Sequence, residues 1–262
     1  MTKNININQQ NFFKGNGYLI MRDFLNSKEL SKIRKILKKL EKGQKKLIAV
    51  DDPGVDKSQV NFLNDEKGLD FIKNKSSYKK LTQKLLKSQN IYTWGAKCNL
   101  KKKWHGSCEY YHQDFFYNRQ NGFKTPNMLA CAIFIDDHSH ENGGIWIFPK
   151  SHKKTHKHKK FLNINSLQKY LVPTNILNKI SKISPPISIN EKKGSCIFFH
   201  SKIIHGSSHN VSGRDRKTLI YDICAKKDFE KILKLRAIDE KKNRKMYEKK
   251  ELQKRLKKLY AI

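Results

Sequence analysis

The sequence predicts a mainly β fold with flanking helices, in which two antiparallel sheets pack as a barrel or jelly roll. Short apolar segments separated by turn residues follow one another between residues 91 and 225. Helical patterns occur before and after this region. Short strands joined by long loops fit two packed antiparallel sheets better than a parallel α/β fold. A chain of 262 residues is long enough for one such domain with a full hydrophobic core.

The first part of the chain predicts a strand and then a helix. Gly15 and Gly17 precede the apolar run 18–21, a pattern typical of a turn followed by a short buried strand. Asn26 with Glu29 three residues later matches a capping box, which predicts that a helix begins here. The apolar residues of this helix form one stripe at helical spacing, made of Leu30, Ile33, Leu37 and Leu40.

The remaining segments complete the predicted domain. Residues 45–75 are rich in Pro, Gly, Asn and Asp and are expected to be loops, and residues 76–88 are expected to form a second helix. The strand-like segments are YYHQDFFY, MLACAIFID, GIWIFP, SCIFFH, KIIHG and TLIYDIC. Residues 226–262 alternate basic and acidic residues with spaced apolar ones, which predicts a basic helical tail. The single domain thus has a helical and loop part at 1–90, a jelly-roll core at 91–225, and this tail.

The formal net charge of +33 invites a nucleic-acid or membrane-surface role, because a positive field concentrates polyanions. However, lysine greatly outnumbers arginine, the residue preferred for bidentate recognition of phosphates and bases. The lysines also occur throughout the chain alongside abundant Asn and Ile, as a compositional bias would produce. Nucleic-acid binding is therefore not favoured by the charge alone.

Neither a membrane span nor a signal peptide is recognised in the sequence, and this, with the pattern of the cysteines, predicts a cytoplasmic location. No apolar run approaches the roughly 18 residues of a membrane span, and MTKNININQQ does not resemble a signal peptide. The five cysteines are scattered without a C-x-x-C pair, so reduced thiols are expected. We expect a cytoplasmic monomer that acts on a small molecule.

A candidate metal site begins in YYHQDFF, where His112 and Asp114 are two residues apart. On a strand, positions i and i+2 share one face, so both side chains would point into the same cavity. His205, in KIIHGSSHN, supplies a third ligand on a later strand. Two histidines and one carboxylate with open positions opposite suit a non-haem iron(II) oxygenase.

An oxygenase of this kind needs an electron source, which 2-oxoglutarate supplies when O₂ is the oxidant. Arg216 is the candidate for binding its far carboxylate, because a guanidinium group matches a carboxylate bidentately. Ser207 is placed to add a hydroxyl contact, and Arg214 is a weaker alternative anchor that would share a face with Arg216 on a regular strand. Gln113 and Lys97 are weaker candidates for contacts with the substrate or around the metal.

At these residues the chain resembles the phytanoyl-CoA dioxygenase family over most of its length. The opening FFKGNGYLIMRDFLNSKEL is similar to that family's first strand and helix, and YYHQD to its metal-binding strand. NGGIWIFPKSHK resembles its Asn-Gly turn, apolar strand and Pro-x-Ser-His element. GSCIFFHSKIIHGSSHNVSGRDR resembles its closing strand pair. The family often has a glycine where this chain has Lys150, and residues 104–111 are an unusual approach to the metal strand.

The resemblance implies a double-stranded β-helix of the cupin-like jelly-roll type. It implies that His112, Asp114 and His205 ligate iron, that Arg216 with Ser207 grips 2-oxoglutarate, and that Gln113 faces the mouth of the site. Because Asp114 is retained, it favours hydroxylation over halogenation. The implied activity is hydroxylation of a small, anionic or acyl organic substrate with Fe(II), 2-oxoglutarate and O₂, releasing succinate and CO₂.

The histidine-rich segment and the lysines of the predicted loops are two further basic features of the sequence. HKKTHKHKK contains His152, His156 and His158 and is expected to be a solvated basic loop, because neither Cys nor carboxylate accompanies the histidines. Lysines in loops are expected to border the mouth of the barrel, where they are placed to attract an anionic substrate: Lys101, Lys102, Lys103, Lys150, Lys153 and Lys154. The competing hypothesis is a nucleic-acid or anionic-polymer binding protein on the same fold without turnover.

Overall fold

The computed structural model describes residues 5–42, 47–48, 59–60, 63, 66–161, 168 and 170–234. The helices are α1 (Ile7–Asn16), α2 (Ser27–Lys42), α3 (Asp70–Asn74), α4 (Ser76–Leu86), α5 (Asp114–Gln120) and α6 (Thr174–Ser181). The first strands are β1 (Tyr18–Met21), β2 (Leu47–Ile48), β3 (Gln59–Val60), β4 (Ile91–Lys101), β5 (Glu109–His112), β6 (Met128–Phe134) and β7 (Ile145–Phe148). The remaining strands are β8 (Lys159–Lys160), β9 (Tyr170–Leu171), β10 (Ile187–Ser188), β11 (Cys196–His200), β12 (Ile204–Ser207) and β13 (Arg216–Ala225).

Two antiparallel sheets form the core of the molecule. The larger sheet has the order β1-β11-β6-β13-β4-β3-β2 and the smaller one the order β10-β7-β12-β5. Neighbours in these orders are mostly distant in sequence, which is the strand crossing expected of a jelly roll. The predicted mainly β jelly-roll fold is therefore confirmed.

The larger sheet is covered on both faces. Alternate residues of β13, such as Leu219 and Tyr221, pack against helical residues such as Ile33 of α2. The opposite face packs against the smaller sheet, for example Phe134 against Ile147. Because both faces are covered, every residue of β6 is buried, so its sequence MLACAIF is uniformly apolar and does not alternate.

The predicted N-terminal elements are present. Tyr18 pairs with Phe199 of β11, so β1 extends the larger sheet from outside the predicted 91–225 core. The Asn26 side chain accepts from the Glu29 N–H at 3.0 Å, and the Glu29 carboxylate accepts from the Asn26 N–H at 2.9 Å. This reciprocal pair is the predicted capping box at the start of α2.

The segment YYHQDFFY departs from the predicted continuous strand. β5 ends at His112, Gln113 is extended, and α5 begins at Asp114. The change of period explains the error, because Phe115 and Asn118 are buried at helical spacing after the alternating part has ended. The strand argument for placing His112 and Asp114 on one face was therefore wrong, although the two side chains do meet.

Three further findings concern the C-terminal segment, the cysteines and membrane-spanning helices. Residues 226–234 are helical, as predicted for the start of the basic tail, whose remainder at 235–262 lies outside the described residues. All five cysteines are free. Within the described ranges, no helix is both long and apolar enough to cross a bilayer.

Candidate metal centre

The three predicted metal-binding side chains lie together between β5, α5 and β12. His205 is the direct cross-strand partner of His112, and their ring centroids are 4.4 Å apart. Each imidazole Nε2 lies 3.6 Å from Oδ1 of Asp114. The three candidate ligand atoms all lie within 4.8 Å of one another, so they can share one metal ion.

The backbone orients both imidazoles for metal binding. Nδ1 of His112 is 2.8 Å from the Tyr110 carbonyl oxygen, and Nδ1 of His205 is 3.2 Å from the Ile203 carbonyl oxygen. A carbonyl only accepts, so each Nδ1 carries a proton and each Nε2 presents a lone pair toward Asp114. Histidine ligands are commonly held by such a hydrogen bond from the other ring nitrogen. The residues present therefore fit a metal that takes imidazole and carboxylate ligands.

The electrostatics keep Asp114 and His205 in their metal-binding forms. For His112, burial lowers the pKa, but the hydrogen bond and charge of Asp114 outweigh it and raise the pKa. Burial opposes ionisation of Asp114, but His205, His112 and Lys97 together hold the pKa of its carboxyl well below the usual range. Burial lowers the pKa of His205 to about 4, against the opposing effect of Asp114. At neutral pH the carboxylate is charged and His205 is neutral, which are the protonation states that a metal requires.

Arg216 is buried at the start of β13. Its Nη2 donates to the Gly143 carbonyl, and its Nη1 donates to Thr218 Oγ1 at 2.9 Å. Burial lowers the pKa of Arg216 to about 10, so the side chain is still a cation at neutral pH. In the described part of the chain no carboxylate lies within ion-pair distance of it. Arg214 is exposed and precedes the strand, so the two arginines do not share a strand face.

A second cation, Lys101, lies beside the predicted 2-oxoglutarate residues. Lys101 is the cross-strand partner of Arg216, and its Nζ donates to Ser207 Oγ at 2.8 Å and to the Ser208 carbonyl at 2.5 Å. Its placement in a loop at the barrel mouth was wrong, because Lys101 ends β4 and is buried. The residues fit a carboxylate group, since the Arg216 guanidinium, the Lys101 ammonium and the Ser207 hydroxyl lie together and each can donate a hydrogen bond to it.

His138 also lies near these cations and was not predicted from the sequence. It is buried, stacks on Phe134 and accepts from the Ile145 N–H through Nε2 at 2.8 Å. Its Nδ1 has no hydrogen-bond partner in the described structure. Burial, with Arg216 and Lys101, lowers its pKa well below the ordinary value, so it stays neutral. Only the tertiary structure reveals this placement.

Gln113 does not face the mouth of the site, contrary to expectation. Its side chain is fully buried. Its Nε2 donates to the carbonyls of Lys154, at 2.9 Å, and Lys202, at 2.5 Å, while its Oε1 accepts from the His156 N–H at 2.8 Å. Gln113 therefore ties the segment between two metal-binding residues to two neighbouring loops.

The histidine-rich segment is not the solvated loop expected. His158 stacks on Phe116 and accepts from the Gln113 N–H through Nε2 at 3.0 Å. His152 is buried, with Nε2 3.2 Å from the Lys14 carbonyl. His158 therefore packs against the metal-binding turn, whereas His152 packs against the end of α1.

Lys97 and Asp222 lie on the wall opposite the metal ligands. Lys97 is the cross-strand partner of Ile220 and is close enough to influence the pKa values of Asp114 and His205. Asp222 was missed from the sequence, although it lies six positions after Arg216 in a strand where even spacing indicates a shared face.

The chain is similar to known proteins in both sequence and fold. The family model for phytanoyl-CoA dioxygenase (PhyH) matches residues 13–218. L-proline trans-4-hydroxylase from Streptomyces griseoviridis is 28% identical over 142 residues, covering 50% of this chain and 53% of that protein. The chain's match therefore spans about half the length of that hydroxylase.

Two further likenesses cover more of both proteins. Ectoine dioxygenase from Stutzerimonas stutzeri is 23% identical over 228 residues, covering 80% of this chain and 73% of that enzyme. The crystal structure of EctD from S. alaskensis with 2-oxoglutarate and 5-hydroxyectoine has a TM-score of 0.74 and 16% identity, and the match covers 87% of this chain and 79% of that one. The structural likeness establishes the shared fold. Since the family model also spans most of the sequence, this chain belongs to the phytanoyl-CoA dioxygenase family.

Proposed function

We propose that this chain is a non-haem Fe(II)- and 2-oxoglutarate-dependent dioxygenase that hydroxylates a small organic substrate and releases succinate and CO₂. The observation that carries the proposal is the meeting of His112, Asp114 and His205, with both histidines oriented by backbone carbonyls. Two imidazoles and one carboxylate on one side of a metal are typical of non-haem iron(II) oxygenases. Membership of the dioxygenase family supports the same reaction class.

Different residues would bind the metal and the co-substrate. His112, Asp114 and His205 would hold iron(II), which with 2-oxoglutarate and O₂ supplies the oxidising chemistry. Arg216 and Ser207 would bind the far carboxylate of 2-oxoglutarate, with Lys101 adding charge beside Ser207. Phe199 packs against His205 with centroids 4.7 Å apart and helps to keep water from that side of the metal.

The substrate class is narrowed by the relatives. Two of them are named for L-proline and ectoine, both small organic molecules, which supports a small-molecule substrate here. The family and the partly buried metal site favour this function over the polyanion-binding hypothesis. We extend the proposal to a single domain over residues 1–262 acting as a cytoplasmic monomer, which size-exclusion chromatography and localisation of a tagged chain would test.

The test is succinate formation from 2-oxoglutarate in air after anaerobic loading with Fe(II). The wild-type chain should turn over slowly without substrate, and Asp114→Ala should lose this turnover by roughly 100-fold or more together with Fe(II) binding. Asp137→Asn, which changes a half-exposed carboxylate paired with Lys192, is the matched control and should behave as wild type. A wild-type protein that binds neither Fe(II) nor 2-oxoglutarate would exclude the proposed function.

A further inference from the structure

Asp222 is a carboxylate on the inner face of the larger sheet, separate from the proposed metal ligands. On β13 it alternates with Tyr221, which packs on the helical side, and shares a face with Ile220, which packs between the two sheets. The pairing of β13 with β4 is regular up to this residue. Its side chain therefore points toward the space between the sheets, where the metal ligands also lie.

Gly95 creates the space that Asp222 occupies. Gly95 is the cross-strand partner of Asp222, and a Cβ added to it would lie 2.7 Å from the Asp222 Oδ2. The carboxylate thus lies across the backbone of β4 and is not directed along its own strand. A side chain larger than hydrogen at residue 95 would push the carboxylate out of this position.

The carboxylate has no protein partner. Among the described residues, the side chain of Asp222 makes neither a hydrogen bond nor an ion pair, and the same holds for the side chain of Lys97. The charged groups that influence Asp222 are Lys97 on the facing strand and Asp114 at the metal site. Burial raises the pKa of Asp222 to about 6, so the carboxylate is mostly ionised at neutral pH. Leaving a partly buried charge without a partner costs free energy. Such a charge is typical of a binding site in which the ligand supplies the opposite charge.

Lys97 and Asp222 place opposite charges on one face of the β4–β13 pair, near enough to the metal site for Lys97 to lower the pKa of Asp114 and for Asp114 to raise that of Asp222. Lys97 is the cross-strand partner of Ile220, which lies two residues before Asp222 on β13. Lys97 therefore lies on the same face of the strand pair as Asp222. Within the described residues these two side chains form no ion pair with each other, although Lys97 is close enough to lower the pKa of Asp222. A ligand that satisfies both must carry a positive and a negative group on a small frame.

We propose that Asp222 binds a protonated nitrogen of the substrate, and that the substrate is a small zwitterion whose anionic group lies toward Lys97. This inference rests on the proposed oxygenase function and names its substrate class. It departs from the purely anionic or acyl substrate expected from the sequence. The specificity arises because an analogue without the protonated nitrogen leaves the partly buried Asp222 carboxylate without its partner, which disfavours binding.

The experiment uses the Fe(II)-loaded chain and two matched panels of probes. The first contains free amino acids, including L-proline, together with ectoine. The second contains the N-acetyl or 2-hydroxy counterparts of the amino acids, which keep the carboxylate but lack the cation. The readouts are succinate formation above the substrate-free rate and a product heavier by one oxygen atom. Members of the first panel should stimulate turnover, and their counterparts should not.

The variants separate recognition from folding. Asp222→Asn keeps the shape but removes the charge, and should raise the KM for the stimulating zwitterion by roughly 10- to 100-fold, more than it raises the KM for 2-oxoglutarate. Lys97→Met should also raise the KM for the stimulating zwitterion, because it removes the cation that would bind the anionic group of that substrate. Asp137→Asn is the control for a carboxylate change elsewhere. Thermal melting of each variant identifies loss of fold.

The outcomes distinguish the two proposals. If wild type turns over 2-oxoglutarate but the second panel, which keeps the carboxylate and lacks the cation, stimulates as well as the zwitterions, or no zwitterion stimulates, the inference on Asp222 is overturned while the oxygenase stands. An unchanged zwitterion KM in a folded Asp222→Asn variant also overturns it. Absence of any 2-oxoglutarate turnover or Fe(II) binding in wild type would overturn the proposed function itself.

Discussion

His112 and His205 are direct partners on the antiparallel strands β5 and β12, with ring centroids 4.4 Å apart. This pairing brings together two imidazoles from distant parts of the chain, and both Nε2 atoms then reach Asp114. The neighbouring Gly206 permits the close approach of the strands, because a Cβ there would lie 2.6 Å from the Glu109 carbonyl oxygen. The geometry of the metal site therefore depends on the separation of these two strands.

Gly206→Ala should widen that separation. The nearest atom to the added methyl group is a backbone oxygen, which cannot move aside as a flexible side chain can, so we expect a loss of roughly 1–3 kcal/mol in the free energy of unfolding and weaker Fe(II) binding. Urea denaturation and Fe(II) titration measure the two effects. Gly15→Ala is the matched control, because nothing lies within 4 Å of its added Cβ and α1 should gain slightly in stability. Equal Fe(II) affinity in Gly206→Ala and wild type would contradict the strand-spacing argument.

Arg216→Lys should weaken binding of 2-oxoglutarate. A lysine keeps the charge but cannot reproduce the guanidinium fork or its donation to Thr218 Oγ1. We expect the Kd for 2-oxoglutarate to rise by roughly tenfold or more, measured by titration of the Fe(II)-loaded protein under nitrogen. The exposed Arg214→Lys is the control and should keep the wild-type Kd. Equal weakening by both substitutions would show that general charge, and not this buried anchor, holds the co-substrate.

Gln113→Ala should destabilise the protein and loosen the metal-binding turn. The substitution leaves the Lys202 carbonyl and the His156 N–H without their present partner, at a cost of roughly 2–4 kcal/mol. Chemical denaturation measures the free energy of unfolding, and Fe(II) titration measures the effect on the turn. Gln120→Ala, at an exposed position at the end of α5, should change neither. A stability for Gln113→Ala within about 0.5 kcal/mol of wild type would reject the clamp role.

His200 should make the metal-free protein less stable as the pH falls. Burial, with His152 and Lys202, lowers the pKa of His200 in the folded state to about 4, whereas in the unfolded chain it is about 6.5. Between these values the unfolded state binds the extra proton, so this contribution is complete above pH 6.5 and declines toward pH 4. The slope from one such group is up to about 1.4 kcal/mol per pH unit.

The measurement is the free energy of unfolding between pH 7 and about 4.5 in the presence of chelator. His200→Asn keeps an acceptor near the Lys202 N–H, which Nδ1 contacts at 3.0 Å, but it does not titrate. Its stability should fall less steeply with decreasing pH than that of wild type. His105→Asn, on an exposed residue, is the control. Identical slopes for His200→Asn and wild type would show that His200 does not couple folding to protonation.

The sequence by itself was sufficient for features that depend on local pattern. The capping box of Asn26 and Glu29 and the uniformly apolar β6 are set by short-range hydrogen bonding and burial, and both are visible in the residue order. The strand-turn motifs likewise predicted the jelly roll, and the pattern of His112, Asp114 and His205 predicted the side chains that now meet.

Only the tertiary structure decided how those side chains meet and what surrounds them. Residues on one strand face can be inferred from alternation, but which strand lies opposite depends on long-range pairing that no local pattern encodes. The register of β4 and β13 placed Lys101 beside Arg216 and Gly95 beneath Asp222. The packing of the histidine-rich segment buried Gln113, because its amide groups satisfy backbone groups from chain segments far away in sequence.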